Sequence, residues 1–146
     1  MTRVLMVDGE PNIRRLCAEE LEEEGYVVRL AGTGEEVVHL IDSFRPEVVI
    51  LEMRLPDMSG LEAGRIIKGT NQKMRVIFHS FGMPPDSLDR WGGDAFVEKS
   101  FDLSELKNAV SILSNLNNTW LAPAEELTPH TKLPVVRVPG KPKTLS

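Results

Sequence analysis

A chain of 146 residues with 41% hydrophobic residues holds one domain's worth of core and is too short for two. Its net charge of -5 and pI of about 5.2 leave no basic stripe to neutralise phosphates, which argues against direct nucleic-acid or membrane-surface binding. The single cysteine, Cys17, excludes an internal disulfide framework and fits a reducing compartment.

An acid at Asp8 comes too soon after the first methionine for a signal peptide, and no apolar run approaches a membrane span, so a cytoplasmic location is expected. Residues 4–7 form a short apolar strand that stops at Asp8, Gly9 and Glu10. Pro11 then suits the first turn of a helix. Ile13, Leu16, Cys17 and Leu21 keep helical spacing on one side, with Arg14, Arg15 and the Glu19 to Glu24 acids on the other, until Gly25 ends the helix. Cys17 is read as a packing residue. A second strand is expected over 26–31, and Thr33 with Glu36 forms a capping box for a helix carrying Val37, Val38, Leu40 and Ile41.

Residues 48–51 are an unbroken aliphatic run, the signature of a parallel strand buried on both faces, and the run ends on one acid, Glu52. Ligands and chemistry collect at the carboxyl ends of such strands, so Glu52 is the first candidate site residue. A third helix is predicted over 61–68, closed by Gly69. A fourth strand over 74–78 leads to His79 and Ser80, and only a short helix fits 84–91. His79 is read as a satisfied edge residue, and no second His or Cys stands at metal spacing. A short strand over 95–97 stops at Glu98 and Lys99. Asp102 with Glu105 then caps a last helix with Leu103, Leu106, Val110, Leu113 and Leu116 on one side. Trp91 and Trp120 read as packing residues. Strict alternation of five strand-then-helix units gives an α/β parallel sheet with helices on both faces.

From residue 121 the composition changes: five of the ten prolines fall in the last 26 residues, without helical periodicity. Within this stretch, residues 133–139 are a β-prone run bounded by prolines and flanked by Lys132, Lys141 and Lys143. It reads either as part of a disordered end or as a docking strand or dimer arm that adds to a sheet edge.

Asp8, Glu52, Ser80 and Lys99, in that order at strand tips, resemble the receiver domain of bacterial two-component response regulators. The most specific pieces are Val-Asp-Gly-Glu-Pro at 7–11, Leu-Pro-Asp-Met-Ser-Gly at 55–60 and Phe-Val-Glu-Lys-Ser-Phe-Asp at 96–102. The resemblance covers roughly residues 3–117. It implies a flavodoxin-like (βα)5 doubly wound sheet of order 2-1-3-4-5, with a receiver-like domain over 1–120 and a proline-rich tail over 121–146.

In this family a phosphoryl group passes from a histidine kinase to an aspartate at the tip of the third strand. Two acids after the first strand hold magnesium, and a hydroxyl and a lysine grip the phosphate. The resemblance makes Glu52 the phosphoacceptor equivalent, Ser80 and Lys99 the grip, Asp8 and Glu10 the acidic pocket, and Phe96 the switch aromatic. Glu52 replaces the aspartate, its carboxylate about 1.5 Å further out, and Gly9 replaces the second metal acid. No cofactor is therefore expected; weak magnesium binding through Asp8, Glu10 and Glu52 is the only alternative left open. Ser100 stands where the family usually has proline, and the segment between Ser80 and Lys99 is about a turn short.

The implied function is a single-domain, non-enzymatic signalling protein that acts through protein contacts without phosphorylation. Its partner, a histidine kinase or a downstream regulator, would dock on the face formed by helix 4, strand 5 and helix 5, and a homodimer is left open. The alternative is a phosphorelay receiver that still accepts a phosphoryl group. Glu52 would be either a static ion-pair partner of Lys99 or an imitation of phosphoaspartate, and Asp8 a second partner of Lys99. A phosphatase resembling haloacid dehalogenases is more remote, since Asp8 and Glu10 imitate its paired aspartates only loosely. A flavodoxin would need a phosphate loop that Asp8-Gly9-Glu10-Pro11 does not provide.

Overall fold

The computed structural model describes residues 1–82 and 92–118. Over these the chain runs β1 (Arg3–Val7), α1 (Pro11–Glu23), β2 (Val27–Ala31), α2 (Gly34–Ser43), β3 (Val48–Leu51), α3 (Gly60–Thr70), β4 (Arg75–Ser80), β5 (Ala95–Glu98) and α4 (Ser104–Asn118). Every pairing between these strands is parallel and the order is β2-β1-β3-β4-β5, as the family resemblance implied. The helix expected over 84–91, Trp91, Trp120 and the whole stretch from 121, including the 133–139 run, lie outside the described residues.

The core is two layers split by the sheet. On one face Val37 and Ile41 of α2 and Ala63 and Ile67 of α3 pack on Val7, Leu51 and Phe78. On the other, Cys17 and Leu21 of α1 and Leu106, Val110 and Leu113 of α4 pack on Met6, Ile50 and Ile77. Each such aliphatic side chain taken from water contributes about 1.5–3 kcal/mol, so the run over 48–51, buried throughout, anchors both layers.

Helix starts follow local chemistry. Pro11 occupies the first helical positions of α1, and Gly25 beyond its end takes φ +98°, a left-handed conformation natural to glycine. Thr33 Oγ1 accepts the Glu36 N–H at 3.1 Å, but Glu36 returns its carboxylate to the Gly32 N–H at 2.6 Å, so the capping box is displaced by one residue. Asp102 accepts the Ser104 N–H at 2.9 Å and opens α4.

Two expectations fail. Helix α3 does not close at Gly69: it continues to Thr70, and the Asn71 N–H donates to the Ile67 carbonyl. The glycine's propensity cost, about 1 kcal/mol, is too small to end a helix still anchored by buried Ile67. Leu16, placed on the apolar side of α1, is 48% exposed, and Ala18 takes the buried position instead.

Gly60 fixes how closely α3 approaches the tip of β3. Its N–H donates to the Met53 carbonyl at 2.8 Å, and a Cβ there would press on the Glu52 carbonyl oxygen and lie 2.7 Å from Met53 Cα. Both neighbours are backbone and cannot give way cheaply. Gly60→Ala is therefore expected to lower stability by about 1–3 kcal/mol, read as a shifted urea midpoint with an unchanged slope.

Candidate functional site

Four of the sequence-predicted residues meet because the ladders run one residue past the strand ends. The Asp8 N–H donates to the Ala31 carbonyl at 3.1 Å, the Glu52 N–H to the Val7 carbonyl at 3.0 Å, and the Lys99 N–H to the Ser80 carbonyl at 2.8 Å. Asp8, Glu52, Ser80 and Lys99 are thereby held at the carboxyl edge of adjacent strands.

Their side chains close on one another. Lys99 Nζ contacts Glu52 Oε1 and lies 2.8 Å from Asp8 Oδ2. The second contact is an ion pair at hydrogen-bonding distance. Glu52 Oε2 accepts the Arg54 N–H at 3.0 Å and the Ser80 hydroxyl at 3.4 Å. Asp8 Oδ1 accepts the Glu10 N–H at 2.9 Å. One ammonium thus lies between two carboxylates whose residues are 1% and 7% exposed, leaving the cluster one negative charge in excess. Burial alone would push the Lys99 ammonium down; Asp8 and Glu52 more than reverse this and hold it above the ordinary lysine value.

Other candidates fall elsewhere. Glu10 is exposed, and only its backbone reaches the cluster. Phe96 is 1% exposed, paired with Phe78 in the sheet, and belongs to the core on the α2 and α3 side. Cys17 is buried as expected; burial and the Asp8 charge push its thiol up to about 11, far from reactivity. His79 is not a satisfied edge residue. It lies on β4 between β3 and β5, is 2% exposed, and its Nδ1 has no hydrogen-bond partner among the described residues. Burial, reinforced by Lys99 and opposed by Asp8, pushes it down to about 4.

Three neighbours escaped the sequence reading. Arg14 donates to the Asp8 carbonyl at 2.6 Å and ties α1 to the site. Phe81 is 72% exposed, with its ring centroid 5.2 Å from Lys99 Nζ, within cation–π range. A large aromatic directly after Ser80 was the available signal. Asp57 accepts the Gly34 and Glu35 N–H groups at 2.8 and 3.0 Å, which tethers the loop after β3 to the start of α2. These backbone donors hold its carboxyl below the usual range.

The donor set offers magnesium two buried carboxylates, Asp8 and Glu52, both of them already paired with Lys99. Among the described residues no three His, Cys, Asp or Glu side chains converge. Both buried carboxylates already turn an oxygen toward Lys99, and Gly9 contributes none. An octahedral ion would have to displace the ammonium from a site with two direct acids.

A family model described as the response regulator receiver domain matches residues 4–111. The chain is 30% identical over 112 residues to sporulation initiation phosphotransferase F of Bacillus subtilis (strain 168), covering 74% of this chain and 90% of that protein. It is 29% identical over 109 residues to regulatory protein AtoC of Escherichia coli (strain K12), covering 73% of this chain but 24% of AtoC. Against transcriptional regulatory protein TrcR of Mycobacterium tuberculosis it is 32% identical over 85% of this chain and 49% of TrcR. The chain therefore spans about a quarter and about half of those two regulators. Among solved structures, response regulator TrrA of Thermotoga maritima in complex with Mg(2+)-BeF superimposes with a TM-score of 0.73 at 39% identity, over 77% of this chain and 99% of TrrA. TrrA in complex with histidine kinase ThkA gives a TM-score of 0.71 at 38% identity, over 77% of this chain and 98% of TrrA.

Proposed function

The chain belongs to the response regulator receiver family, and from that premise we propose that it signals through protein contacts without taking up a phosphoryl group, with Glu52 in place of the phosphoacceptor aspartate. The observation that carries this reading is the Lys99 ion pair. In a phosphorylatable receiver the lysine and a metal must be available to neutralise the transferring oxygens. Here the ammonium is committed to Glu52 and Asp8, and Gly9 removes an acid a metal would need. The cluster acts as a fixed clasp joining β1, β3 and β5, and as a partial stand-in for the charge of a phosphate. One carboxylate supplies about half of a phosphate's charge of about -2, so the clasp biases the surrounding loops less strongly than a phosphate would.

The partner in this reading is a protein, a histidine kinase or a downstream regulator, since TrrA itself has been captured with histidine kinase ThkA. Docking would use β5, the last helix α4 and the segment before β5. The role is non-enzymatic and needs no cofactor.

Intact-mass measurement after incubation with acetyl phosphate and magnesium tests the reading. The wild-type chain is expected to gain no species heavier by about 80 Da, the mass of one phosphoryl group. Such a species would overturn the proposal in favour of a working phosphorelay receiver, the reading supported by the retained Ser80 and Lys99. The double variant Gly9→Asp with Glu52→Asp should gain the adduct, and Glu52→Asp alone should not fully restore it. An aspartate fits at position 9, where a Cβ would meet Pro56 Cδ at 3.4 Å, an ordinary contact. Calorimetric titration with magnesium should show weak or no binding to the wild type and tighter binding once Gly9→Asp is made.

A further inference from the structure

At the end of the sheet opposite the Glu52 cluster, the segments leading into β3 and β4, the start of β1 and the last described turn of α4 enclose a cavity of about 610 Å³. Ile41, Pro46, Met74 and Leu116 give it an apolar floor. Arg3 stiffens one wall: its Nε donates to the Phe44 and Arg45 carbonyls at 3.1 and 2.7 Å, and its N–H to Glu47 Oε1 at 2.7 Å.

The charges around the cavity are unevenly answered. Arg3 lies 4.0 Å from Glu47, and Arg75 lies 3.5 Å from Asp94. Arg45 and Lys73 are exposed and form no ion pair among the described residues; the remaining lining acid, Asp42, is also exposed. An apolar floor with two unanswered cations at its rim suits a segment that carries apolar groups followed by acids.

The chain supplies one. Leu116 lines the cavity, and beyond Asn118 the sequence reads Thr-Trp-Leu-Ala-Pro-Ala-Glu-Glu-Leu over 119–127. We infer that residues 120–127 fold back onto this basal groove, with Trp120 and Leu121 on the floor and Glu125 and Glu126 facing Arg45 and Lys73. Beyond the helix end at Asn118, two residues to Trp120 span up to about 7 Å and seven to Glu125 about 24 Å, so the acids have the longer reach. Tethering raises the local concentration of the segment to the order of millimolar, so contacts too weak to hold a free peptide keep a tethered one in place. Pro123 limits how much conformational freedom the docked segment gives up.

Cysteine cross-linking in the full chain tests this. Thr70→Cys lines the groove, and Ala124→Cys marks the segment without touching its acids. Cys17 is buried and stays out of the reaction. Under a copper–phenanthroline oxidant, the pair should give an intrachain disulfide several-fold faster than Thr70→Cys with Ser146→Cys, read by non-reducing intact mass. Arg45→Glu with Lys73→Glu should slow it by about five-fold, the factor supplied by two exposed ion pairs, and adding Glu125→Lys with Glu126→Lys should restore the rate. Equal rates for the two cysteine pairs, or indifference to charge reversal, would overturn the inference. A disulfide-linked dimer as the main product would assign the groove to a second copy and overturn it equally.

Discussion

Lys99→Ala should destabilise the folded chain by about 3–5 kcal/mol at neutral pH, the cost of breaking a buried ion pair by removing one partner. The lysine side chain is 7% exposed, and its loss leaves two carboxylates facing each other with no cation between them. The Arg54 N–H and the Ser80 hydroxyl still reach Glu52, but neither carries a charge. Adding Glu52→Gln to Lys99→Ala should recover much of the loss, because it removes one stranded charge and keeps the side chain's volume. Glu52→Gln alone should cost much less, since Lys99 keeps Asp8. Urea unfolding of the four proteins forms a double-mutant cycle, and a coupling of about 0.5–3 kcal/mol is expected. Additive effects would mean that the cluster is a set of solvated neighbours and not a clasp, which would also remove the support for a phosphorylation-independent role.

The signals in the sequence that mark this cluster are short and positional. An unbroken aliphatic run ending on Glu52 announced both a central strand and a site at its tip, because only the carboxyl edge of a doubly wound sheet leaves an acid room beside an otherwise dry core. The same logic located Asp8 and Lys99. What could not be read was anything set by contacts distant in sequence. The continuation of α3 through Gly69 depends on Ile67 finding the sheet, not on local propensity. The exposure of Leu16 depends on which face of α1 meets β1 and β2, which helical spacing alone leaves open by about one residue in each turn. The tether from Asp57 to α2 joins residues 23 apart. His79 departs from expectation for a different reason: the order 2-1-3-4-5 already placed β5 beside it, but burial to 2% exposure at the strand's end, with Nδ1 left without a partner among the described residues, is set by packing distant in sequence.

His79 carries the other large expected effect. It sits neutral in the fold, pushed down from 6.5 to about 4, chiefly by burial and next by the nearby Lys99 ammonium, with Asp8 opposing. In the unfolded chain it takes up a proton near its ordinary value, so below pH 6.5 the unfolded state binds a proton that the folded state refuses. Stability linked to this group is therefore complete above pH 6.5, declines as the pH falls, and is lost by about pH 4. The slope approaches 1.4 kcal/mol per pH unit, which gives a loss of about 2 kcal/mol between pH 7 and 5 and about 3 kcal/mol by pH 4. Carboxylates titrate over the lower part of the same range, so the informative quantity is a difference. His79→Leu fills a similar volume without a titrating group, and its stability should depend less on pH than that of the wild type. Urea unfolding of both proteins at pH 7 and pH 5 should show the wild type losing about 2 kcal/mol more than the variant. A parallel loss in both would mean that the imidazole titrates freely, and hence that water reaches β4 at the point where His79 adjoins Ser80 and the base of the Lys99 clasp.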